Sequence, residues 1–271
     1  MKLFQEILRI LDVQMVEPLP YGWFHLLFFA LSIGAAILLC FLHKKGKGIP
    51  EKKLVLFVSV CVLLLEVYKQ INYSFSYGGD AVTFDFQWYA FPFQFCSMPM
   101  YVGLLAGLTK RGKIHNALCA FLATYAIFAG LCVMVYPVQV FIGTVGINIQ
   151  TMICHGSMIT VGVYLLYTGY VKTEHKTILK ALPVFATAIL CAMVMNEIAY
   201  VSGLLETDTF NMFFISPHCE PSLPVYSSVQ AVVPYPWCLI IYVAAFTLAA
   251  YVVLLAAMGI KKCAETCKRK V

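Results

Sequence analysis

Cys96 and His155 are the residues of this chain whose types and surroundings could do covalent chemistry. Each lies in an apolar stretch among Gln, Asn and Glu side chains. A thiol acts as a nucleophile in its thiolate form, and a neighbouring imidazole can take the proton. A carboxylate such as Glu66 or Glu197 could orient that imidazole. Gln94, Asn148 or Asn196 could hold an oxyanion in a site shielded from water. Such a set suits acyl transfer on a lipid ester. Each residue also has a plainer reading. A lone intramembrane His is as often a hydrogen-bonded packing residue. Any one of eleven cysteines is more often a small core hydrophobe. Glu66 and Lys69, three apart, could be an ion pair that only neutralises itself. What favours chemistry is that Cys96 and His155 share a depth with so many polar partners.

Helical spacing puts the polar residues on common faces. Glu66, Lys69, Gln70 and Tyr73 follow an i, i+3, i+4, i+7 pattern. Asn148, Thr151 and His155 follow i, i+3, i+7, and Asn196 and Tyr200 are four apart. Polar groups at membrane depth are costly and usually mark function. His25, at the start of the first span, adds to the same layer. At about 1.5 Å per residue, Cys96 and His155 fall about one to two turns below one membrane surface. The expected construction is a polar cavity in that half of a helical bundle, lined by Glu66, Lys69, Gln94, Asn148, Asn196, Glu197 and Tyr200 around Cys96 and His155.

The elements that must position this layer are transmembrane helices. The chain is 61% hydrophobic and 12% charged, with mean hydropathy +0.84; a soluble domain carries roughly a quarter charged residues. A bilayer core of about 30 Å needs about 20 apolar residues per helix. Seven segments qualify, near 21–42, 54–74, 92–109, 115–135, 148–170, 179–205 and 235–260. The expected fold class is all-α: one polytopic membrane domain over residues 1–271, with no soluble domain and no cleavable signal peptide. Before the first span, Phe4, Ile7, Leu8 and Leu11 oppose Lys2, Glu6, Arg9 and Asp12, which predicts a short interfacial helix over 1–12.

Charge sets the orientation. All of the nineteen Lys and Arg residues except Lys2, Arg9 and Lys69 fall in four stretches: Lys44 to Lys53, Lys110 to Lys113, Lys172 to Lys180, and Lys261 to Lys270. By the positive-inside rule these stretches are cytoplasmic. The N-terminus is then outside and the C-terminus inside a multi-pass protein of the cell membrane. Trp23, Trp88 and Trp237 all fall at the outer interface, where Trp prefers to sit. The net charge of +6 is this lysine excess and needs no nucleic acid to explain it. The outer loops include a Gly78-Gly79-Asp80 turn and a long connection near 206–233, either a lid or an ordered connector. Cys219 and Cys238 fall on the outer side and could pair there. Cys263 and Cys267 lie in the basic tail. No cysteine pair has zinc-ligand spacing, so neither a metal nor another cofactor is expected.

Short motifs carry a resemblance. Phe91-Pro92-Phe93-Gln94-Phe95-Cys96 resembles the "LPLHLC" element of the YwaF-like bacterial integral membrane family, with Gln94 where a His is common. Ala129-Gly130 to Pro137 resembles its glycine-then-proline span, and Cys154-His155-Gly156 its His-Gly element. Asn196 to Tyr200 and Pro234-Tyr235-Pro236-Trp237 are similar to its Asn-Tyr and Pro-Trp elements. These cover spans three to seven, in order. That family is similar to the eukaryotic transmembrane protein 164 group, which resembles lipid acyltransferases with an essential Cys and His. More distantly it resembles small membrane hydrolases with a Thr-His pair. The resemblance implies Cys96 as nucleophile, His155 as base, and membrane phospholipid or another acyl lipid as the partner molecule.

Two readings from different classes stay open at this level. One is a Cys-His lipid acyltransferase or hydrolase facing outward. The other is a transporter or ligand-binding membrane protein with Glu66, Lys69 and Glu197 as an ion relay. The chain shows no internal repeat and no paired broken helices of the kind common in transporters. An accessory subunit of a larger complex is a third. The oligomeric state is not in the sequence.

Overall fold

A computed structural model describes residues 2–78, 81–138, 140–220, 223–235 and 237–269. Gly79 and Asp80 of the expected turn, Pro236 of the Pro-Trp motif, and Lys270 lie outside the described residues. The chain is mostly helical, at 71%. In order come α1 (Lys2–Leu11), α2 (Trp23–Lys44), α3 (Glu51–Ser74), β1 (Phe75–Gly78), β2 (Ala81–Phe84), α4 (Met98–Leu108), α5 (Lys113–Leu122), α6 (Tyr125–Val135), α7 (Val145–Tyr167), α8 (Lys176–Val201), α9 (Pro224–Gln230) and α10 (Trp237–Arg269). Among the described residues, six helical segments are long and apolar enough to cross a membrane; α5 and α6 together make one of them.

The third expected span is shorter than the apolar run suggests. Only α4, of 11 residues, is helical there. Pro92 biases Phe91 away from helix, and the helix starts after Ser97 with Pro99 in its first turn, where a missing N–H costs nothing. The fourth is interrupted at Ala123-Thr124, where Thr124 leaves helical geometry and its hydroxyl bonds the Ala120 carbonyl at 2.7 Å.

α7 is the hub: it packs against α2, α3, α5 and α6. Glycines permit the close approaches. A Cβ on Gly156 would lie 2.0 Å from Ser32 Oγ of α2, and one on Gly130 of α6 would lie 2.6 Å from the His155 carbonyl oxygen. Small residues at helix crossings are how membrane bundles bring backbones together. α3 packs on α4 in the same way, through Gly103 against Ser59.

The end of the bundle opposite the lysine-rich connections carries the irregular structure. α1 forms over the segment expected to be amphipathic and packs on α3 and β1, with Tyr68 Oη donating to the Leu11 carbonyl at 2.7 Å. β1 and β2 pair antiparallel, Phe75 opposite Phe84. The long connection between α8 and α10 dips into the bundle: Phe210, Met212, Phe213 and Ile215 are buried. Cys219 and Cys238 are free thiols. Cys219 donates to the Phe210 carbonyl, while Cys238 accepts from Tyr226 Oη, so the pairing open in the sequence is not formed.

Candidate functional site

Cys96 lies in the turn that starts α4. Gln94 carbonyl oxygen accepts the Ser97 and Met98 N–H groups at 2.9 and 3.2 Å, winding the chain around Cys96. Phe93 and Phe95, on either side of Gln94, are fixed by ring contacts with Phe213, and Phe95 also meets Phe185 and Phe246. A half-buried cysteine therefore sits on a rigid turn at a helix N-terminus, the end that favours anionic groups.

His155 is held by α7 itself. Its Nδ1 lies 2.7 Å from the Thr151 carbonyl oxygen. A carbonyl only accepts, so Nδ1 carries the hydrogen and the neutral ring presents Nε2 as a bare lone pair. Nε2 is buried and has no hydrogen-bond partner. Most buried polar atoms are paired, and the exceptions ask for a reason. Here the Nδ1 bond to Thr151 leaves Nε2 as the ring's open acceptor. Gly130 of α6 lies close against the backbone of His155.

Glu66 of α3 anchors the charges. It is buried, and its carboxylate pairs with Lys69 at 2.7 Å. It also accepts from Gln70 Nε2 at 2.8 Å and from Gln150 Nε2 of α7 at 3.3 Å. Thr151 Oγ1 donates to Gln150 Oε1 at 3.4 Å. A chain of contacts thus runs from Lys69 through Glu66, Gln150 and Thr151 to the Nδ1 side of His155. The Lys69 ammonium is within electrostatic reach of both Cys96 and His155, and the Glu66 carboxylate of Cys96. On α3, Gln70 Oε1 and Ser74 Oγ are buried without partners as well. Among the described residues no three His, Cys, Asp or Glu side chains converge as metal ligands.

The other polar residues go elsewhere. Gln94 clamps the dipping loop: Nε2 donates to the Asn211 carbonyl at 2.9 Å and Oε1 accepts from Phe213 N–H at 2.7 Å. Asn196 does the same one residue along, with the Met212 carbonyl at 3.1 Å and the Met212 N–H at 2.7 Å. Asn148 grips the chain at Ile142 by both its carbonyl and N–H. All three amides are committed to backbone. Glu197 faces outward, half exposed, and pairs with His218 at 3.0 Å. Tyr200 stacks flat on the same His218 with ring centroids 3.6 Å apart. His25 bonds the Met134 carbonyl and Tyr21 N–H, so both its nitrogens are used in packing α2.

Several contributors do not stand out in sequence. Gln150 and Thr151 lie among the polar residues at the start of span five, but only the structure links them to Glu66 and His155. Tyr242 donates to the Phe213 carbonyl at 3.1 Å and reads as one aromatic among many. Phe213 and Phe214 both take left-handed φ, 59° and 57°, a cost for bulky residues that the Gln94, Asn196 and Tyr242 clamps offset. Asn196→Ala should therefore leave a buried N–H and C=O unpaired and lower stability by about 1–3 kcal/mol. Thermal unfolding in detergent measures it, and faster thiol labelling at Cys219 should report the loosened loop. Unchanged unfolding and labelling would show that the clamp is dispensable.

Comparison with known families adds one finding. A family model described as the TMEM164 family matches residues 20–255, a stretch that includes both Cys96 and His155. Neither a curated protein nor a solved structure matches the chain.

Proposed function

The chain belongs to the TMEM164 family, and from that premise we propose a membrane-embedded Cys-His lipid acyltransferase or lipid hydrolase. The observation that carries this reading is the buried, unpartnered Nε2 of His155, left as a lone-pair acceptor because Nδ1 carries the hydrogen in its bond to Thr151. Cys96 is the nucleophile. Its Sγ proton passes to Nε2 as Sγ attacks the ester carbonyl carbon of the lipid. The C–O bond breaks, the leaving alkoxide takes the proton back from the imidazolium, and an acyl-thioester remains on Cys96. A hydroxyl of an acceptor, or water, then attacks the thioester and gives its own proton to Nε2; Sγ leaves and is reprotonated. The Lys69 ammonium and the α4 N-terminus supply positive potential where the oxyanion develops. The unpaired Gln70 and Ser74 groups suit polar parts of a headgroup. Gln94, Asn148 and Asn196 support the site as struts.

The direct test is mass spectrometry of Cys96 peptides after the protein is incubated with phospholipid carrying a labelled acyl chain. An acyl mass on Cys96 that hydroxylamine removes is expected. An unmodified thiol under conditions of measurable turnover would overturn the reading. The ion-relay alternative draws little support: Glu197 pairs with His218 at the surface, away from the Glu66 network.

The proposed topology is seven spans, with α4 and the segment before it serving as the third, the N-terminus outside and the C-terminus cytoplasmic in the cell membrane. The lysine-rich connections after α2, α4 and α7 and the end of α10 then share one side, and Trp23, Trp88 and Trp237 lie at the other. A membrane-impermeant maleimide added to intact cells should label Asp208→Cys above the parent level and spare Lys47→Cys. Labelling of both from one side would refute the topology.

A further inference from the structure

α10 rests on α6 more closely than on α8. Tyr125 Oη of α6 meets Thr247 Oγ1 at 2.8 Å, drawing α10 to that side. A groove of about 930 Å³ opens between α8 and α10, its walls formed by Ile178, Ile189, Leu239, Val243 and Leu248. That volume falls within the about 300–1,000 Å³ of ligand sites. The hydroxyls in the groove are already spoken for. Thr247 is bonded to Tyr125 and to the Val243 carbonyl. Tyr251 Oη meets His175 Nδ1 at 2.6 Å, bridging the two helices where the groove ends.

That end is the basic one. Lys176 lines it at the first turn of α8. The nearby carboxylate, Glu174, is engaged by Lys180 at 2.9 Å. The opposite end has no Lys or Arg among the groove residues. The groove is therefore apolar along its length and cationic at one terminus, which is the pattern of a single amphiphile with an anionic head. A partner helix fits less well. Helices associate in membranes through small residues and interhelical hydrogen bonds; these walls are mostly branched aliphatics, and their hydroxyls are occupied.

We infer that the α8–α10 groove binds one acyl chain of an anionic phospholipid, whose phosphate meets Lys176 at the start of α8. Lys172, across the connection, adds to the same field, and basic residues at the cytoplasmic surface attract anionic lipid in this way. The groove is separate from Cys96 and His155, so the inference does not depend on the proposed chemistry.

Native mass spectrometry of the full chain, delipidated and then given equal phosphatidylglycerol and phosphatidylcholine, tests it. Phosphatidylglycerol should be retained in roughly fivefold preference or more, and Lys176→Gln should lose roughly fivefold of that preference. Ala244→Trp, which fills the groove, should lower retention of the bound lipid. Lys176 is exposed, so its replacement leaves the fold intact and keeps the test decisive if the tryptophan variant does not fold. Equal retention of both lipids, or a preference unchanged by Lys176→Gln, overturns the inference. So does a dimer of this chain that Ala244→Trp dissolves, since a second copy would then be the occupant.

Discussion

Cys96→Ser should reduce lipid turnover at least about 100-fold while the protein still folds. A serine hydroxyl stays protonated near neutral pH, whereas a thiol already supplies some thiolate. The substitution keeps the volume and leaves the Gln94 turn and the phenylalanine contacts unaltered, so unfolding should scarcely change. His155→Ala should cost about as much, because general-base assistance is worth about 10²–10⁴-fold. The double variant should be little worse than either single one, since residues that act as a unit are strongly non-additive. Turnover assays on the three variants, with acyl capture at Cys96 as a second readout, decide the matter. His155→Ala should also lose the acyl adduct. Multiplicative losses in the double variant would mean that the two residues contribute independently. Turnover in Cys96→Ser near the parent rate would remove the nucleophile and with it the proposed reaction.

How much of this was legible in the sequence depends on whether depth or direction was needed. Depth follows from counting residues along apolar runs, so the clustering of Glu66, Lys69 and His155 near one end was readable. Direction was not. Asn196 and Glu197 are adjacent, about 100° apart around a helix; the first points inward to Met212 and the second outward to His218. An amide offers one donor and one acceptor group to substrate and backbone alike. Gln94, Asn148 and Asn196 were equally plausible as oxyanion donors, but each spends its amide on a loop backbone. Irregular backbone at membrane depth must be satisfied by protein, and that demand explains why these amides hold loop backbone. The short α4 was foreshadowed by Pro92 and Pro99. The dipping loop was not, because the connection near 206–233 could equally be a lid or an ordered connector, and nothing in its spacing showed that Phe210, Met212, Phe213 and Ile215 would be buried. α10 runs on through the basic tail because Lys, Ala and Glu there are good helix formers.

Glu66→Leu is the substitution expected to harm the fold most. Lys69 would keep its charge with only 18% of its side chain exposed and no carboxylate at 2.7 Å. Gln150 Nε2 would lose the oxygen it donates to, and Gln70 Nε2 would keep only the Ala90 carbonyl. Breaking a buried pair by removing one partner costs about 3–5 kcal/mol, mostly from the stranded charge, whereas replacing both partners with apolar groups is often close to neutral. The double variant Glu66→Leu with Lys69→Met should therefore unfold later than Glu66→Leu alone, with a coupling of about 1–3 kcal/mol in a double-mutant cycle. The same pair of proteins separates structure from chemistry. If Lys69 stabilises the oxyanion on the ester carbonyl, the restored double variant will be stable yet slow, with acyl capture at Cys96 reduced along with turnover. If the pair serves only to neutralise itself, stability and turnover will return together. A Glu66→Leu protein as stable as the parent would show that Lys69 finds water or another anion, and the charge network drawn here would lose its anchor.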